Sequence, residues 1–195
     1  MPATPTRIVM TALQSALVAM VVGWILNVPG RLGIGLFTEQ MLAAVLGCAL
    51  ALTFLQFPLG RGEVGEEAVA RAVLEGRGKG ASAGWIDWLL AIAALASCLY
   101  VAIRYPDLIK ELSGRPWSGI LVAGVIVLTV FEASRRVAGT ALIVIVLALC
   151  AHAMLGWMLP ESFASRPVAL SRLIVYLGID TNALLGSTLQ TAVVF

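Results

Sequence analysis

Six stretches of this chain contain no Asp, Glu, Lys or Arg: residues 8–30, 40–60, 88–103, 116–131, 137–160 and 181–195. The 13 basic and 11 acidic residues are crowded between them. A helix on the surface of a water-soluble core carries polar residues on every turn, and runs of this length without a charge do not allow that. The overall make-up agrees, with 12% charged and 60% hydrophobic residues, where soluble domains have about a quarter charged. A bilayer core about 30 Å thick takes roughly 20 residues of helix. The expected fold is therefore all-α: a polytopic integral membrane helical bundle with about five complete transmembrane helices, a truncated sixth and short interfacial helices.

The stretches 8–28, 40–59 and 138–159 meet that length directly. Residues 85–103 span if Asp87 sits at the headgroups, and 117–134 span if Glu132 does so. Trp85 and Trp88 at one end of the third helix, with Tyr100 and Tyr105 at the other, fit interfacial belts. The first stretch is longer than a secretory core and lacks a small-x-small cleavage site near its end, so it reads as a retained helix. The sixth, 184–195, is about three turns long and runs apolar to Phe195, which reads as the front portion of something longer.

Between the spans, residues 60–84 hold four basic and four acidic residues. Residues 66–75 suit a surface helix with Glu67 and Arg71 one turn apart, and Gly76-Arg-Gly-Lys-Gly suits a linker. Residues 106–114 have Pro at a helix start and Gly at its end, with Leu108, Ile109 and Leu112 on one face. Residues 167–178 repeat this design with Leu170, Leu173, Ile174 and Leu177. Both segments suit the membrane surface or packing on other helices. Lys and Arg divide seven against six across the membrane, and the adjacent Arg135 and Arg136 favour an N-terminus inside.

Several function classes are disfavoured. A net charge of +2 without a basic stripe does not suit nucleic acid. Cys48, Cys98 and Cys150 each sit inside a charge-free run and read as small buried hydrophobes rather than disulfide partners. His152, the single histidine, has no second ligand nearby, so no metal or cofactor is expected. It reads as a structural histidine, with proton relay as the functional alternative. No Ser/His/Asp set, Cys/His couple or carboxylate pair supports catalysis, so an enzyme is not expected.

Ionisable groups at membrane depth are the candidates that remain. Glu132 precedes Arg135 and Arg136 by three and four residues, so one turn brings the carboxylate to either guanidinium. The cluster suits anchoring one helix to its neighbour, with transport or proton handling as the alternative. Asp87, between Trp85 and Trp88, suits the positive end of a helix start. Gln14 and Asn27 suit hydrogen bonds between helices. Thr181, Asn182, Ser187, Thr188, Gln190 and Thr191 place neutral oxygens in the last segment. Of these, Asn182, Ser187 and Thr188 are candidates for an ion or polar solute; a polar helix face against a missing partner is the other reading.

From Trp85 onward the order of features is familiar. Trp-Ile-Asp-Trp-Leu-Leu opens a helix that closes in Leu-Tyr-Val-Ala-Ile-Arg-Tyr. After Gly-Arg-Pro comes a helix running into Phe-Glu-Ala-Ser-Arg-Arg-Val-Ala-Gly, ending at Gly139, and the next closes in Gly-Trp-Met-Leu-Pro. This resembles the N-terminal portion of the fused permease of TAXI-type TRAP transporters, most specifically at the Glu-Ala-x-Arg-Arg-x-x-Gly junction. Leu170-Ser-Arg-Leu-Ile-Val-Tyr resembles that family's amphipathic lead-in, and Phe54-Leu-Gln-Phe-Pro its second-helix exit. Where family members show Thr-Glu-Gly, this chain reads Asp180-Thr-Asn-Ala-Leu-Leu-Gly.

The resemblance implies residues 1–134 as a four-helix scaffold like the family's small subunit, and 135–195 as the beginning of the large transport region. The structural or interface candidates are Asp87, Trp88, Glu132, Arg135, Arg136 and Gly139. The resemblance also implies a bacterial inner membrane, surrounding lipid, a periplasmic solute-binding protein, and a large multi-helix transport domain or the chain's own continuation as partners. Sodium is the implied coupling ion, with its site outside this chain. Alternatives are a stand-alone small membrane subunit of a TRAP or tripartite tricarboxylate transporter, or a non-transport membrane assembly protein.

Overall fold

The computed structural model describes residues 5–59, 83–111, 117–158, 160, 166, 168–180 and 182–194. The described residues form helices and connecting turns, without strands. In chain order the α-helices are α1 (Pro5–Ile25), α2 (Val28–Arg31), α3 (Thr38–Gln56), α4 (Trp85–Glu111), α5 (Trp117–Ala138), α6 (Thr140–Leu155), α7 (Leu170–Ile179) and α8 (Ser187–Val194). A 3-10 turn, Gly156–Met158, extends α6. Five stretches are long and apolar enough to cross a membrane: Thr6–Ile25, Thr38–Gln56, Trp85–Lys110, Trp117–Ala138 and Thr140–Met158. The chain is an all-α helical membrane bundle, and its spans fall within a few residues of those read from the charge-free runs. The surface helix and linker expected within 60–82 lie outside the described residues.

α3 is the central helix, with Leu42, Val45, Leu46, Leu50, Phe54 and Leu55 buried among its neighbours. Its main partner is α4, and the two are antiparallel: Gln40 near the start of α3 bonds to Ala102 late in α4, while Leu59, just past the end of α3, bonds to Asp87 at the start of α4. Between these ends the helices approach closely. A Cβ on Gly47 would come within 2.8 Å of the Cys98 Cβ, so only glycine fits there. Close approach through small residues is how helices associate in lipid, where apolar burial alone gives no advantage over lipid tails. The buried side of α4 follows the same logic: Ala91, Ala94, Cys98, Val101, Tyr105 and Leu108 recur at alternating spacings of three and four. α5 adds a third antiparallel member through Gly119, Ala123, Ile126, Thr129 and Ala133.

Helix ends show why these elements stop where they do. α3 ends at Pro58, which has no N–H to continue the ladder and pushes Phe57 out of helical geometry, to φ −118° and ψ 76°. α5 gives way to α6 through one residue, Gly139, at φ 90° and ψ 170°. That region is open essentially to glycine alone. The chain passes residues 134 and 135 in unbroken helix.

Pro106 overturns one expectation. It does not begin a separate interfacial helix but lies inside α4. Its ring nitrogen cannot donate to the Ala102 carbonyl four residues back, a loss that ordinarily breaks a helix. Here the Gln40 side chain replaces the donor, with Nε2 at 2.7 Å from the Ala102 oxygen. The Gln40 Oε1 meanwhile accepts the Phe37 N–H at 3.0 Å, the reciprocal half of a capping box. Leu108 is buried and Ile109 exposed; Leu112, the third residue of the expected face, lies outside the described residues. α7 does pack on another helix: Gly178 lies against Ala123 of α5, and Val175, Gly178 and Ile179 form its buried side. Leu170, expected on that side, is exposed.

The Gln40 bond has a direct test. Replacing Gln40 by Leu leaves the Ala102 carbonyl unpaired and is expected to cost about 1–3 kcal/mol, measured by unfolding in mixed micelles. In a Pro106→Ala background the backbone N–H at position 106 supplies that bond, and the same substitution should cost less than half as much. An equal cost in both backgrounds would refute the compensation.

Candidate functional site

The charged residues singled out in the sequence converge at one end of the α3–α4–α5 bundle. Asp87 occupies the third position of α4. Its Oδ2 accepts the Gly84 N–H at 2.9 Å, capping the helix start. Its Oδ1 accepts the Leu59 N–H at 3.1 Å and the Arg136 Nη1 at 2.7 Å. One carboxylate thus joins the exit of α3, the entry of α4 and the end of α5.

Arg136 is the second hub. Besides Asp87, its Nη1 donates to the Phe57 carbonyl at 2.9 Å, and its Nε donates to Glu132 Oε1 at 2.8 Å. The guanidinium carbon lies 4.9 Å from the centre of the Phe54 ring, within cation–π range. Asp87 is 2% exposed and Arg136 8%, so each has exchanged water for the other. Arg136 Nη2 is buried without an acceptor among the described residues. Glu132 completes the cluster, accepting from Arg135 Nε and Nη2, both at 2.9 Å. Arg135 itself stays exposed.

The local reading of Glu132 with Arg135 and Arg136 is matched by these contacts. What the sequence reading did not reach is the link from Arg136 to Asp87, 49 residues apart. Asp87 marks a helix start as expected, but it is buried rather than resting at an aqueous interface. A signal was present: Asp87 continues the Ala91–Ala94–Cys98 stripe by one turn, and Arg136 continues that of Ala123, Ile126 and Ala133. Two charges on inward stripes at the same end of antiparallel helices must meet. Trp88, next to Asp87, packs partly buried against the core.

The remaining candidates are scattered. Gly139 forms the α5–α6 joint described above. Among the described residues Asn27 makes no bond between helices; it lies just ahead of α2 in the left-handed region at φ 52°, its side chain against Gly30. Gln14 is exposed on α1. Asn182 closes a turn on Asp180, donating from its backbone N at 2.8 Å and its Nδ2 at 2.9 Å to Asp180 Oδ1. The backbones of Ser187 and Thr188 open α8, their side chains lying outside the described ones. Among the described residues no three His, Cys, Asp or Glu side chains come together as a metal centre requires.

Chemically, the cluster pairs two carboxylates with two guanidiniums and engages the backbone at two helix ends, the exit of α3 and the entry of α4. It is built to hold rather than to react. Asp87→Leu or Arg136→Leu strands the opposite charge in a buried site, expected to cost roughly 3–5 kcal/mol each. The double substitution should cost clearly less than the sum, and Arg135→Ala under about 1 kcal/mol because that pair is exposed. Unfolding of the four proteins in the same micelles decides it: additive costs for Asp87 and Arg136 would show that the two do not act together.

Comparison of the chain with protein-family models, curated proteins and solved structures found no match.

Proposed function

We propose that this chain is the scaffold portion of a TRAP-type secondary transporter in the bacterial inner membrane. It would support a sodium-coupled transport domain that receives solute from a periplasmic binding protein. The observation that carries this reading is the Asp87–Arg136–Glu132 cluster. The charges on the inner faces of α4 and α5 are bonded to each other and to the ends of α3 and α4. Such an arrangement serves a rigid support better than a path for ions, where binding groups must exchange partners with the passing solute. The Glu-Ala-x-Arg-Arg-x-x-Gly motif that resembles the fused permeases supplies the arginine, the carboxylate and the glycine of this junction, so the resemblance and the clamp fall on the same residues.

The scaffold reading makes an assembly prediction. Tagged full chain, extracted from bacterial inner membranes in mild detergent, should carry a large multi-helix permease or be fused to one. Reconstituted alone, the 195 residues should give no solute uptake. With the permease and its binding protein, uptake should follow an inward sodium gradient and vanish when that gradient is dissipated. Uptake by the chain alone, or recovery with no multi-helix transporter, would overturn the proposal.

A further inference from the structure

The connection between α1 and α3 is built unlike a loop that meets water. Ile25, Leu26, Val28, Leu32, Ile34 and Leu36 are all exposed along it. Arg31 is the only charged residue between Arg7 and Glu39, and it too is exposed. The one amide side chain, that of Asn27, lies against Gly30. Much of the backbone is paired within the connection itself. From Arg31 to Ile34 each N–H donates to a carbonyl between Asn27 and Gly30, at 2.9–3.2 Å. Leu36 donates to the Ile34 carbonyl and Phe37 to Gln40 Oε1, both at 3.0 Å. The far end is fastened to the bundle as well, with the Phe37 ring 6.1 Å from that of buried Tyr105. A folded segment thus holds its apolar side chains outward.

Water rewards neither feature. Turn N–H groups can bond to water instead of to the chain, and a run of apolar side chains held in water is costly. Where water is scarce the balance reverses: backbone groups must pair internally, and lipid accommodates the apolar side chains. We propose that residues 25–37 are seated in the headgroup–acyl boundary of the chain's own bilayer, with Arg31 bonded to lipid phosphate. Continuity selects lipid as the occupant. The connection is flanked by the spans Thr6–Ile25 and Thr38–Gln56, and the exposed Val18 and Val22 of α1 lead directly into Ile25 and Leu26. A protein partner is met by an apolar patch with a polar rim, whereas Arg31 is the only charge this segment offers. One guanidinium suits the boundary: its stem lies among acyl chains while its head reaches phosphate oxygens. The segment thereby sets the depth at which α3 begins, where Gln40 holds α4.

The test uses the full chain in vesicles of phosphatidylcholine and phosphatidylglycerol, with Cys48, Cys98 and Cys150 replaced by Ala. Single nitroxide labels enter at Leu32→Cys, Ile34→Cys and Leu36→Cys, with Val22→Cys on α1 as the reference inside a span. Oxygen concentrates in hydrocarbon and a nickel chelate in water, so their relative collision rates with each label, read by power saturation, report its depth. The three connection labels should collide more with oxygen than with the chelate, at a depth shallower than Val22. Arg31→Glu sets a carboxylate against the phosphates, and should shift those labels toward the chelate while Val22 stays where it was. Preference for the chelate at Leu32 and Ile34 would overturn the inference. Labels shielded from both reagents would overturn it as well, because protein rather than lipid would then cover the segment. Unchanged depths in the Arg31→Glu protein would refute the phosphate contact.

Discussion

The Asp87–Arg136 contact is the constraint on which the bundle depends. Neither residue tolerates hydrocarbon alone, since an isolated buried charge costs far more than a lost hydrogen bond. They are stable only where the end of α5 meets the start of α4, and Asp87 is fully bonded only where the exit of α3 supplies the Leu59 N–H. That requirement sets helix direction and longitudinal register together. A slip of one residue would move both charges off the inner stripes and separate the carboxylate from the guanidinium. Packing of Gly47 on Cys98 then follows from a register already determined at the end.

The opposite end of the α3–α4 pair is held by the same device in neutral form. Gln40 and Asp87 both occupy the third position of their helices. Both use one oxygen to cap their own helix and another atom to reach a neighbouring segment. Each therefore satisfies an orphan donor at a helix start and a polar group elsewhere that has lost its partner. For Gln40 that group is the carbonyl released by Pro106. For Asp87 it is a guanidinium that water does not reach. In a solvent without hydrogen-bond partners, these two end clamps do the ordering that apolar burial does in a soluble core.

Much of this was legible in the sequence, and the parts that were not have a common cause. Absence of charge over about 20 residues is a local property, so the spans could be read directly. Glu132 with Arg135 and Arg136 was legible because one helical turn is also local. Pro106 defies the pattern because the rule that proline starts or ends a helix assumes no outside donor, and the donor sits at Gln40, 62 residues before the Ala102 carbonyl it serves. The pairing of Asp87 with Arg136 was hidden for the same reason, although the stripes that contain them were on view. In α7 the apolar periodicity identified a helix but not its buried side. Four apolar positions matched the pattern, and the choice was made by Gly178, whose lack of a side chain admits Ala123.

The outer helices follow from what they lack. α6 is apolar apart from Thr140 and His152 near its ends, and none of its residues is buried. With only lipid and neighbouring helices to choose between, such a helix gains little from packing sideways. It is attached to α5 through Gly139 in a conformation that other residues disfavour, immediately beyond the clamp at Arg136. A bundle that spends the Asp87 and Arg136 charges internally and is bordered by helices largely exposed among the described residues leaves its remaining polar groups at membrane depth on the outside. In lipid an apolar face alone does not distinguish one neighbour from another, so what any such helix pairs with is decided by sparse polar groups at membrane depth.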